Sequence, residues 1–145
     1  MEIQPEKQNI DRLFSNESYK IDFYQREYKW TKEQVGTLID DLFHNFEPNY
    51  EKNHSVEPTK QNILKYYSWY YLNTYITNRE EEVYLVDGQQ RLTTLTLFLM
   101  VLYKQAKECV DNKELLGWLE RKIVTYTPDG QTFFIGDEDR KKIGP

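Results

Sequence analysis

Val83-Tyr84-Leu85-Val86-Asp87-Gly88-Gln89-Gln90-Arg91 runs a short apolar strand into an Asp-Gly turn and directly on into a long apolar helix. The first amides of a helix have no partner inside it, and the macrodipole adds about half a positive charge there. A phosphate is the natural guest of such a junction. Gly88 lets the main chain approach that guest closely, and Arg91 places a forked cation suited to phosphate oxygens within the first turn. A plainer reading stands beside this one. Asp87 followed three residues later by Gln90 has the spacing of an N-cap with a capping box, which would only finish the helix end. Local pattern alone does not choose between the two.

The helix after the turn is expected over Gln90 to about Glu108. It is apolar on nearly every side between Leu95 and Tyr103, the pattern of a centrally buried helix. Such a helix presents its N-terminus already ordered. Ahead of the turn, Tyr70 to Thr77 is rich in Tyr, Thr and Ile and predicts an extended segment. Asn78 to Glu81 then turns it into Glu82 to Val86 as a hairpin, with the acidic run Glu80 to Glu82 as a solvated tip.

Further out, Asn9 to Phe14 has the spacing of a short helix, and Tyr19 to Phe23 reads as a strand. Thr31 and Gln34 fit a capping box, followed by Val35, Leu38, Ile39, Leu42, Phe43 and Phe46 at helical steps. Asp40 and Asp41 fall on the polar face of that helix and read as solvated acids rather than metal ligands. The stretch 47–62, with Pro48, Pro58 and little to bury, predicts a mobile surface loop. His44 and His54 have no companions at ligand spacing. A short helix is expected over Ile63 to Trp69, and another over Asn112 to Lys122 with Leu115, Leu116 and Leu119 on one stripe. Pro128-Asp129-Gly130 marks a turn between extended stretches at Ile123 to Tyr126 and Thr132 to Ile135. Asp137 to Pro145 looks like the start of a helix cut short, as in the N-terminal fragment of a longer protein.

At 145 residues the chain has room for one domain with a real core, and 39% apolar with 30% charged residues suits a soluble globular protein. The apolar run at Leu95 to Tyr103 is about half what a bilayer span needs, and no N-terminal stretch resembles a signal peptide, so a cytoplasmic location with no membrane partner is the expectation. The lone Cys109 can form no internal disulfide and agrees with a reducing compartment. A formal charge of −5 leaves no broad positive field, so contact with DNA must be local. The twelve Tyr and three Trp read as hydrogen-bonded core packing ahead of base-stacking platforms.

A second signature precedes the Thr31 helix: a strand leads into Tyr24-Gln25-Arg26, with Tyr28 and Trp30 following. Together with the Tyr71-Leu72 pair and Asp87-Gly88-Gln89-Gln90-Arg91-Leu92-Thr93-Thr94-Leu95, it makes the chain, over about Ile10 to Lys107, resemble the N-terminal domain of the GmrSD-type restriction endonucleases. That domain is similar in fold to ParB and sulfiredoxin. Asp22 stands where the family more often has proline, and Asn73-Thr74 where a Gly-Ser or Gly-Thr pair is more usual.

The resemblance implies an α+β fold, a small mixed sheet packed with helices, in a single domain over 1–145. It implies an NTP-binding and hydrolysing, DNA-specificity domain of a modification-dependent, type IV-like restriction endonuclease in phage defence. The partners are then a nucleoside triphosphate with Mg²⁺, modified DNA, and a C-terminal nuclease domain that this chain lacks, with homo-oligomerisation left open. Asp87, Gln89, Gln90 and Arg91 are the implied catalytic residues; Tyr24, Gln25, Arg26, Gly88 and Thr93 are the implied nucleotide-binding ones, with Asp87 also a metal ligand. There is no Walker loop with its Lys, so amides near Gly88 to Gln90 would hold the phosphates while Arg91 and Arg26 neutralise charge and Gln89 or Gln90 orients water. Asp87 would bind the ion, take a proton, or only cap the helix. The competing reading is a non-catalytic module that grips a nucleotide or a DNA phosphate. A ParB-like adaptor is a third, against which the acidic balance argues.

Overall fold

Alternation along Val83-Tyr84-Leu85 turns Val83 and Leu85 to one side, where both are buried and Leu85 is fully enclosed. This strand, β3 (Val83–Asp87), pairs antiparallel with β2 (Ile76–Arg79) and parallel with β1 (Tyr19–Ile21), which in turn runs parallel to β6 (Ile135–Asp137). The mixed sheet has the order β2-β3-β1-β6. A second pair, β4 (Val124–Thr127) and β5 (Gly130–Phe133), is antiparallel. The helices are α1 (Ile10–Leu13), α2 (Lys32–Asn53), α3 (Lys60–Tyr66), α4 (Gln89–Cys109) and α5 (Lys113–Ile123). The class is therefore α+β with a small mixed sheet, as expected. This computed structural model describes residues 2–15, 18–21, 27–127, 130–133 and 135–137, with side chains as far as Val124.

The chain clusters into two compact units, Met1–Tyr28 with Tyr75–Pro145, and Lys29–Thr74. In the first, Leu13, Phe14, Tyr19, Val83, Leu85, Leu92, Leu95, Leu99, Leu119 and Ile123 are all buried. Tyr19 carries its hydroxyl into this interior and donates it to the Leu13 carbonyl at 3.1 Å, as a buried phenol must find an acceptor. The buried Lys122 is held by Asp11 at 2.6 Å, by Ser15, and by the face of Trp118, which neutralises and solvates a charge that burial alone would penalise. α1 is thereby tied to α5.

The second unit is built on α2. Thr31 caps it as the sequence predicts, its amide donating to Gln34 Oε1 at 2.7 Å. Its far end corrects the loop expected over 47–62: the helix continues through Pro48 to Asn53, and α3 begins at Lys60. Proline lacks the N–H that a helix interior uses. Here the side-chain amides of Asn49 and Asn53 bond back to the carbonyls of Asn45 and Asn49 at 2.7 and 2.8 Å, and Phe46, Tyr50 and His54 form an aromatic row along the following turns. The extended segment expected over Tyr70 to Thr77 is a strand only from Ile76, so Tyr71 and Leu72 precede the hairpin. Asn73, where a Gly would be more usual, has φ 94°. Asparagine is among the few side chains that tolerate that left-handed conformation.

Two further expectations are corrected. α4 is buried along Leu92, Leu95, Thr96 and Leu99 but not all round, since Leu97 and Val101 are 48% and 53% exposed. The aromatic residues do not mainly fill a core: Tyr50, Tyr66, Trp69, Tyr70 and Tyr71 are all exposed. Pro128 and Asp129 of the expected turn, and residues 138–145 of the expected terminal helix, lie outside the described residues. No helix among those described is long and apolar enough to cross a membrane.

Candidate functional site

β3 ends on Asp87, and α4 begins one residue beyond Gly88. Gly88 is the N-cap, with φ 92°, a left-handed conformation that costs an L side chain roughly 1–2 kcal/mol and glycine almost nothing. That conformation turns the strand abruptly into the helix. The first rung of the ladder runs from the Leu92 amide to the Gly88 carbonyl at 3.0 Å, so the amides of Gln89, Gln90 and Arg91 stand ahead of it at the positive end of a helix that reaches Cys109.

The side chains of this junction do not form the capping box that the Asp87 and Gln90 spacing suggested. The N-cap falls on a residue without a side chain. Asp87 Oδ1 instead accepts the Gly88 amide at 2.9 Å, and the Gln90 amide nitrogen donates to the Glu27 carbonyl at 3.0 Å rather than reaching back to Asp87. Gln89 donates to the Val86 carbonyl at 3.0 Å, with the Leu85 carbonyl at 3.4 Å, and so binds the helix start to the strand end. Asp87 is exposed, whereas Gly88, Gln89, Gln90, Arg91 and Thr93 are half-buried.

One turn along, Thr94 is only 2% exposed. Its hydroxyl lies 2.7 Å from the Gln90 carbonyl and 2.9 Å from the Tyr28 hydroxyl. A threonine has one proton to give, and the carbonyl can only accept, so Thr94 donates to Gln90 and Tyr28 donates to Thr94. The main chain at Glu27 and Tyr28 is thus fastened to the first turns of α4. The three residues just before it, Tyr24, Gln25 and Arg26, lie outside the described residues. Glu27 and Thr94 were not singled out from sequence. The available signal was weak: a threonine within an apolar helix run, whose hydroxyl tends to bond the carbonyl four residues back.

Elsewhere the side chains read as solvated or structural from sequence keep that character. Asp41 accepts from Tyr70 at 3.3 Å, and His54 Nδ1 lies 2.9 Å from the Glu51 carbonyl. Among the described residues no group of three or more His, Cys, Asp or Glu is placed to hold a metal ion. In the second unit a shallow groove of about 520 Å³ lies between α2 and the segment after α3. Its polar atoms mainly join those two walls: the Asn49 side chain takes the Ser68 amide at 3.1 Å and donates to the Ser68 hydroxyl at 2.9 Å.

Residues 10–143 of the chain match the family model described as GmrSD restriction endonuclease, N-terminal domain. No curated protein matches the chain.

Proposed function

Because this chain belongs to the family of GmrSD restriction endonuclease N-terminal domains, we propose that its β3–α4 junction binds a nucleoside triphosphate with Mg²⁺ and hydrolyses it. The observation that carries this reading is Gly88 at φ 92°. It sets three successive amides and the first-turn residue Arg91 at the positive end of one helix. Fixed donors at such an end favour an anion without reorganising when it binds. A chain of net charge −5 needs a local cradle of this kind, having no general attraction for phosphate.

In the hydrolysis, water attacks the γ-phosphorus and the bond to the β,γ-bridging oxygen breaks, leaving nucleoside diphosphate and inorganic phosphate. Arg91, with Arg26 from the first signature, neutralises the negative charge on the transferring group and the leaving oxygen. Tyr24, Gln25 and Thr93 complete the nucleotide-binding set. Asp87 is an exposed carboxylate at the same junction, which suits a hard cation that takes one or two carboxylates and otherwise phosphate and water oxygens. Mg²⁺ held there would neutralise charge on the β and γ oxygens. Gln89, its amide nitrogen bonded to Val86, holds the junction together and leaves phosphate contact to the backbone.

In the full-length protein this domain gates a nuclease domain carried elsewhere and directs it to modified DNA in defence against phage. A second reading, a module that binds nucleotide or a DNA phosphate without turnover, draws support from Gln89 and Gln90, whose amide nitrogens are both engaged with main-chain carbonyls. Phosphate release from the purified chain separates the two. Binding itself is tested by calorimetric titration with ATP and with GTP, each with Mg²⁺. Arg91→Ala is expected to weaken the tighter of them by roughly ten- to a hundred-fold, the worth of hydrogen bonds to a charged group. Unchanged affinity in that variant refutes the site.

A further inference from the structure

We infer that Gln90 and the Tyr28–Thr94 pair are a two-point latch that positions the segment carrying Tyr24, Gln25 and Arg26 over the start of α4. This rests on the nucleotide reading above and adds to it a device that assembles the site. The two fastenings are separate. Gln90 Nε2 donates to the Glu27 carbonyl across 63 positions of sequence, and Tyr28 donates to Thr94 across 66. They converge on one point, because Thr94 also donates to the main-chain carbonyl of Gln90 itself at 2.7 Å. Tyr28, Thr94, Gln90 and Glu27 therefore form one connected set of hydrogen bonds, with the buried Thr94 hydroxyl as its inner post.

The latch closes on the residue that follows Arg26. Consecutive Cα atoms are about 3.8 Å apart, so a fixed Glu27 limits where the preceding residue can go. A guanidinium that must neutralise developing charge gains from being held beforehand, since ordering it on binding would reduce affinity. Gln90 is on this view a positioning residue that acts through Arg26. It does not touch the nucleotide.

The test uses the 145-residue chain and two mild variants, Tyr28→Phe, which removes one hydroxyl, and Gln90→Leu, which removes the amide at similar volume. Each is titrated with the tighter-binding of ATP and GTP with Mg²⁺, and amide hydrogen exchange over residues 22–30 is followed without nucleotide. The latch predicts a Kd raised about three- to ten-fold, the worth of one ordinary hydrogen bond. It also predicts faster exchange over 22–30 and unchanged protection in the α4 interior. A raised Kd with unaltered exchange over 22–30 overturns it, because the residues then act on the nucleotide directly. Faster exchange with unaltered Kd overturns it as well, because the segment then has no part in binding. If Arg91→Ala still abolishes binding in either case, the nucleotide site stands without the latch; if the unmodified chain binds neither nucleotide, both readings fall together.

Discussion

The two compact units differ in how far their apolar residues are covered. In the unit containing the sheet and α4, ten large apolar residues are buried; in the unit built on α2, Leu38 is buried while Phe43, Phe46 and Tyr50 along the same helix are exposed. Both α2 and α4 carry apolar residues at helical spacing. Periodicity tells which face of a helix is apolar, and only tertiary packing decides whether that face is covered. The contrast has a functional side. The junction at Gly88 stands on the well-packed unit, between a strand with Leu85 fully enclosed and a helix anchored through Leu92, Leu95 and Leu99. An anion site made of main-chain amides needs such a foundation, because its donors are only as fixed as the elements that carry them.

Substitutions can break or sharpen this contrast. Leu85→Ala, at a side chain with no exposure, is expected to cost about 3 kcal/mol or more of unfolding free energy, as large-to-small changes in a close-packed core do. Urea denaturation measures it, and a loss below about 1 kcal/mol would show that the sheet unit is not the packed one. Gly88→Ala is expected to cost about 1–2 kcal/mol from its left-handed backbone alone, and to lower nucleotide affinity along with it. An alanine variant as stable as the parent would mean that the turn relaxes easily and the amides are not fixed. Phe46→Ala, on a side chain 46% exposed that stacks on Tyr50 at 5.5 Å, is expected to cost no more than about 1 kcal/mol, mostly the worth of the aromatic pair. A loss approaching that of Leu85→Ala would erase the difference between the units.

Features written in neighbouring residues were legible in the sequence. An Asp-Gly pair between an apolar strand and an apolar helix predicted the turn, and α4 begins within one residue of the expected start because the backbone freedom of Gly88 is a local property. The Thr31 and Gln34 cap was equally local. What spacing could not give was the destination of a side chain free to choose among partners. Gln90 had the position of a capping-box residue, yet its amide found the Glu27 carbonyl 63 positions away. The Tyr28 and Thr94 hydroxyls meet across a similar separation. The length of α2 was missed for a related reason: Pro48 and a polar composition argue for a loop, but the back-bonding amides of Asn49 and Asn53 and the aromatic row continue the helix. Family membership rests on the whole of residues 10–143 and so reaches past what any one motif carries.

The central claim is that triphosphate is held at the origin of α4. A crystal structure of the chain with ATP or GTP and Mg²⁺ tests it most directly. The account predicts phosphate oxygens within hydrogen-bond distance of the Gln89 to Arg91 amides, with the Arg91 guanidinium against them. Phosphate density in the α2 groove beside Asn49 and Ser68, with the Gly88 junction closed by its own side chains, would contradict it.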